Sequence, residues 1–161
     1  MKVLIWFVVM LLSVSLQSTM IPAIAMGGVR PDLVLVVVVS TALANGRETG
    51  VLCGIFGGIL QDLLSAGPFG VNTLAKMVVG LLVGMYEHKV NKKNLLMPFV
   101  AVSAGTLAAA VVNMLFLLGY GQREAFMEMM ILLSPTLAYH LILMVPVHFC
   151  MLWLKRVQEK N

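Results

Sequence analysis

The sequence predicts an all-α, polytopic membrane protein with about six transmembrane helices, and three observations carry that prediction. Of 161 residues, 60% are hydrophobic and only 11% are charged. A soluble domain of this size needs a larger polar surface, so the solvent around most of the chain is lipid. The apolar residues gather into long runs separated by short polar breaks. Periodicity alone does not separate strand from helix in runs such as 33–44, which is dominated by valine. A bilayer does separate them, because an isolated strand leaves its backbone groups unpaired in hydrocarbon. The prediction is one integral membrane domain over residues 1–161.

The first span is predicted at about 3–21, behind Lys2. Ser13 and Ser15 form a small-x-small pair that would suit a cleaved signal peptide, but the apolar run resumes at Met20 and Ile21. Pro31 and Asp32 then suit the first turn of a helix over about 31–45, where the dipole favours a carboxylate. Asn45-Gly46 ends it. Helices follow over about 49–65 and 71–86, both short for a span of about 20 residues. A fifth covers about 95–118, with Pro98 in its first turn. The sixth covers about 128–153, with Pro135 and Pro146 as kink positions and Trp153 at the interface.

Charge placement fixes an orientation. With the N-terminus inside, Lys2, Arg47, Lys89, Lys92, Lys93, Lys155, Arg156 and Lys160 fall on the cytoplasmic side, against Arg30 and Arg123 outside. That bias predicts a multi-pass membrane protein with both termini cytoplasmic. Lys89, Lys92 and Lys93 read as an anchor at the anionic leaflet.

The densest information lies in residues 54–76. Counting back from Asp62 in steps of four reaches Gly58 and Gly54, and counting forward from Lys76 reaches Gly80 and Gly84. Residues at this spacing share a helix face, and glycines there let membrane helices approach closely. Two such faces joined by a short connection predict a packed hairpin. Asp62 and Lys76 come out at similar depth, each at the unfavourable pole of its own helix dipole. An ion pair between them would relieve the cost of each alone, and Arg30 and Asp32 open onto the same side and could complete a four-charge cluster. That cluster reads either as structural or as a partner- or ligand-binding site, with proton chemistry the remotest option.

Weaker candidates remain. Ala101, Gly105, Ala109 and Asn113 form another step-four face, with Asn113 expected to bond across helices. His140 and His148 are too far apart for a helical i, i+4 ligand pair and read as structural. Cys53 and Cys150 lie in apolar runs and read as free thiols, and the thirteen methionines read as packing residues. The sequence has no nucleophile–base constellation, no H-E-x-x-H and no P-loop, so neither an enzyme nor a cofactor is predicted. Nucleic-acid binding has no support either.

Arg30-Pro31-Asp32-Leu33, and then Gly54-x-x-Gly57-Gly58-x-x-x-Asp62-Leu63-Leu64-Ser65-x-Gly67-Pro68-x-Gly70-x-Asn72, resemble the signature stretches of the bacterial rod shape-determining MreD family. Length, six spans and a basic tail resemble that family as well. The resemblance implies a non-enzymatic inner-membrane subunit of the cell-wall elongation machinery. It implies the bitopic protein MreC as partner and, less directly, actin-like MreB, a SEDS glycosyltransferase and a class-B penicillin-binding transpeptidase. It also implies a fold similar to the substrate-binding subunits of energy-coupling-factor transporters. Asp62 and the turn at Gly67, Pro68, Gly70 and Asn72 are the signature positions; no catalytic residue carries over. A membrane scaffold is therefore the first functional expectation. A small-molecule-binding or transport subunit is the alternative, against which stands a shortage of aromatic lining, with three tyrosines and two tryptophans.

Overall fold

The computed structural model describes residues 2–24, 29, 31–86 and 96–160. These form six helices with no strand among the described residues: α1 (Lys2–Ile24), α2 (Leu33–Asn45), α3 (Arg47–Leu64), α4 (Val71–Met85), α5 (Leu96–Gly119) and α6 (Arg123–Lys160). Arg30, Lys89, Lys92 and Lys93 lie outside the described residues.

The valine-rich helix α2 sits at the centre and touches each of the other five. Every residue from Val34 to Ala44 is buried. A helix that is apolar on all sides is shielded from water by protein or by lipid, and here protein surrounds it. With 13 residues it is about 20 Å long, shorter than the hydrocarbon layer. Its neighbours, rather than its own length, keep it from water.

The surrounding helices divide into an inner and an outer face. α1 turns Trp6, Met10 and Val14 inward and Val8, Leu12 and Leu16 outward. Phe7 of α1 meets Phe56 of α3 edge-on at 5.3 Å between ring centroids. On α5, Leu96, Val100, Leu107, Val111, Leu115 and Leu118 are all exposed at helical spacing. Apolar exposure this continuous suits lipid, not water.

Two helices, α5 and α6, are long and apolar enough to cross a membrane; the apolar stretches of α1, α2 and α4 are shorter. The lengths of the six expected spans are therefore not met one by one. α3 carries Arg47, Glu48 and Asp62 within its bounds, and the short α2 is enclosed by its neighbours.

The largest difference from the sequence reading is the extent of α6. It begins at Arg123 rather than near 128, and runs unbroken through Pro135 and Pro146. The connection before it shrinks because α5 ends in a Schellman turn. Gln122 N donates to Leu117 O at 2.9 Å and Gly121 N to Leu118 O at 3.0 Å. Gly121 takes the left-handed conformation this turn requires, with φ of 70°.

A charge network at the buried end of the central helix

The first backbone N–H groups of a helix have no partner within it, and a helix starting inside a protein must find them elsewhere. α2 draws on three sources. Asp32, its N-cap, accepts from Leu35 N through Oδ1 at 3.0 Å. Gln17 of α1 accepts from Val34 N at 3.0 Å. The N–H of Asp32 itself donates to His140 Nε2 on α6 at 2.8 Å.

The other carboxylate oxygen of Asp32 receives Lys76 Nζ at 2.8 Å. Lys76 is 2% exposed, and its ammonium also donates to Asn72 Oδ1 at 3.2 Å. Gln61 Nε2 adds a bond to Asp32 Oδ1 at 3.1 Å. The expected pairing of Lys76 with Asp62 is thus replaced by a pairing with Asp32. The lysine reaches the acid that caps α2, an N-terminus short of partners.

Asp62 has a different occupation. Its Oδ2 accepts from Gly70 N at 3.0 Å, Thr73 N at 3.0 Å and Thr73 Oγ1 at 2.6 Å. Its Oδ1 accepts from Asn72 N and Asn72 Nδ2, both at 3.0 Å. The acid near the C-terminus of α3 is therefore the cap for the N-terminus of α4. The sequence argument placed it at the wrong pole of its own dipole; the chain reversal brings it to the favourable pole of the next. Gly70, with φ of 98°, makes that reversal possible without Cβ strain.

Asn72 links Asp62 to Lys76: its Nδ2 donates to Asp62 and its Oδ1 accepts from Lys76. On the far side, Thr106 Oγ1 donates to Val102 O at 2.8 Å and lies 2.9 Å from His140 Nδ1. With its hydroxyl hydrogen so used, Thr106 accepts from Nδ1–H. His140 Nε2 accepts from Asp32 N. The ring is then neutral with its proton on Nδ1. One continuous chain of bonds runs from Asp62 through Asn72, Lys76, Asp32 and His140 to Thr106, linking α3, α4, α2, α6 and α5.

The glycines lie where α3 and α4 touch, the most extensive helix contact in the molecule. A Cβ on Gly54 would strike the carbonyl of Lys76, and one on Gly58 the backbone of Thr73. Gly80 faces the backbone of Gly50, and Gly84 that of Arg47. Backbones this close leave no room for a Cβ at these positions. In the turn beyond, Gly67 is exposed and its N–H bonds Ser65 Oγ at 3.0 Å. Leu63, Leu64, Pro68 and Phe69 are exposed with it.

Sequence reasoning missed Gln17, Gln61, Thr73 and Thr106 as parts of this network. Their only signal was polarity within apolar helices. His140 was read as structural without a partner; its partners are a helix N-terminus and a threonine. Asn113 is half-buried in the wall of a cavity. At the opposite end of α2, Lys155 Nζ bonds the carbonyl of Ala44, where a cation complements the helix C-terminus.

Among the described residues are two hollows, one of which opens onto this network. One, of about 350 Å³, lies between α5, α6 and the buried end of α2, with Asp32, Lys76, Thr106 and His140 among its lining residues. The other, of about 460 Å³, is apolar and lies between α4 and α5.

A family model described as rod shape-determining protein MreD matches residues 1–157. No curated protein and no solved structure matches the chain.

Proposed function

The chain belongs to the MreD family of rod shape-determining proteins, and from that premise we propose that it is a scaffold docking a bitopic MreC-like partner. The family is a membrane protein family with a role in rod shape determination and is not known as an enzyme. It is part of the MreBCD shape system. The proposal adds a place and a surface. The chain is a single integral domain of the bacterial inner membrane, crossing it six times with both termini cytoplasmic. It resembles the energy-coupling-factor substrate-binding subunits in arrangement. Through its partner it connects with MreB, a SEDS glycosyltransferase and a class-B penicillin-binding transpeptidase.

One observation carries the docking surface: the five hydrogen bonds by which Asp62 holds residues 70–73. They fix the start of α4 to the end of α3, and Leu63 and Leu64 at the end of α3 and Phe69 in the turn stand about two-thirds exposed, at 66%, 67% and 66%. A rigid apolar platform is a favourable binding surface because little freedom is lost when it is covered. Asp32 and Lys76 do not form the contact face; they anchor it from beneath, through Asn72.

The test is co-purification of the bitopic partner from native membranes. Phe69→Ala should lower partner recovery while leaving insertion and thermal stability unchanged. Asp62→Ala should lower both recovery and stability, and Gly58→Leu should do the same by forcing the hairpin apart. Full partner recovery with Phe69→Ala and Asp62→Ala, both correctly inserted, would overturn the proposal.

A further inference from the structure

The cavity of about 350 Å³ has a shape and a chemistry that the docking proposal does not use. Its lining on α6 runs from Ala125 to His140, a rise of about 22 Å. A helix about 10 Å across and of that length occupies on the order of 1,700 Å³, several times this volume. A partner helix does not fit, whereas a single hydrocarbon chain does. Leu35, Ala109, Ala110, Met129, Leu132 and Leu133 give it apolar walls; Asn113 and Thr136 interrupt them, and Glu128 stands about 18 Å along α6 from His140, at the other end.

Its floor is polar and incompletely used. Lys76 has three N–H donors, and among the described residues two acceptors take them, Asp32 Oδ2 and Asn72 Oδ1. Among the described residues, Asp32 Oδ2 accepts from Lys76 alone. A donor and an acceptor therefore lie side by side at the inner end of the slot, on side chains whose charges cancel. An anionic head there would meet the Asp32 carboxylate and a cationic head the Lys76 ammonium, each losing on one contact what it gains on the other. A hydroxyl or amide matches both, accepting from Lys76 and donating to Asp32. His140 and Thr106 have no hydrogen left to offer, since each is already bonded.

We infer that this slot binds a single-chain amphiphile with a neutral hydroxyl or amide head, head inward on the Asp32–Lys76 pair and chain between α5 and α6. The scaffold is then also a lipid-binding protein, with a site separate from the exposed turn. The bound chain fills the space beside the end of α2, so its occupancy supports the network that holds α2, α4 and α6 together.

The test is photolabelling of the purified full-length protein in detergent with a diazirine-bearing long-chain alcohol, the labelled residues being mapped by mass spectrometry. Labelling should concentrate on slot residues such as Ala109, Leu132 and Leu133. Excess dodecanol should abolish it, and dodecanoate or dodecylamine should not. Ala110→Phe and Thr136→Phe each narrow the slot from a different helix, so failure of one to fold leaves the other decisive. Either variant, folded, should lower slot labelling about tenfold while labelling of the lipid-facing Ile142 is unchanged. Slot labelling no stronger than that at Ile142, equal displacement by dodecanoate, or unchanged labelling in a folded variant would overturn the inference. Loss of partner recovery in Phe69→Ala with normal slot labelling would separate this site from the docking surface.

Discussion

Lys76 on α4 forms its ion pair with Asp32, the residue that caps α2, at 2.8 Å, and not with Asp62 across the hairpin. The pair joins two helices that the glycine seam does not join. It also places a buried cation against the acid at an N-terminus whose remaining donors are taken by Gln17 and His140. Breaking a buried pair from one side leaves an uncompensated charge, and removing both sides leaves none.

Lys76→Met is therefore predicted to destabilise the protein by about 3 kcal/mol. The double variant Lys76→Met, Asp32→Asn should recover part of that loss, because an amide at position 32 still caps α2. A double-mutant cycle on thermal unfolding in detergent measures the coupling. Strictly additive losses would show that the two side chains do not interact.

Asp62→Ala removes a carboxylate acceptor from five donors. Hydrogen bonds to a charged group contribute about 1.5–3 kcal/mol each at most, with strong overlap within one network. Amide hydrogen exchange at Gly70, Asn72 and Thr73 should rise by at least about tenfold. Exchange at Val37 and Val38 in the enclosed centre of α2 should stay slow. Uniform acceleration across both regions would point to global loss of structure instead.

The seam glycines separate from the turn glycines by what a methyl group would meet. Gly54→Ala and Gly58→Ala drive a Cβ into the backbone of α4 and should each cost about 2 kcal/mol or more. Gly119→Ala opens onto free space and should be close to neutral. Gly70→Ala has room but a φ of 98°, and should cost about 1 kcal/mol through backbone strain. Thermal unfolding of the four variants orders them, and equal effects at positions 58 and 119 would contradict the seam.

The topology is tested by single cysteines in a background where Cys53 and Cys150 are replaced. Cysteines at Gly67 and Gln122 should react with a membrane-impermeant maleimide from outside the cell. A cysteine at Asn161 should react only after permeabilisation. The reverse pattern would invert the proposed orientation.

Local periodicity made the hairpin legible. The step-four glycines on α3 and α4 required only helix phase, and phase is a property of sequence. The six helices were legible for a related reason: apolar runs and Gly or Pro breaks mark where helices begin and end. The choice of partner for each charge was not legible, because Asp32 and Lys76 meet only once α2 is inserted among the other helices. The same holds for His140, which bonds residues on α2 and α5. Asp62 was misread for a subtler reason: its environment was judged from the dipole of its own helix, while the turn delivered it to the next one. The span count rested on apolar runs and the placement of Lys and Arg, neither of which distinguishes a helix in lipid from one sheathed by its neighbours, as α2 is.

The most direct test of the scaffold proposal is site-specific photocrosslinking in native membranes, with a photoreactive amino acid at position 69 and, as control, at position 142. Phe69 and Ile142 are both strongly exposed, at 66% and 70%, so exposure alone favours neither. A crosslink to the bitopic partner from position 69 and none from position 142 is the predicted result. Crosslinks from position 142 but not from 69 would contradict a docking surface built on the Asp62 turn.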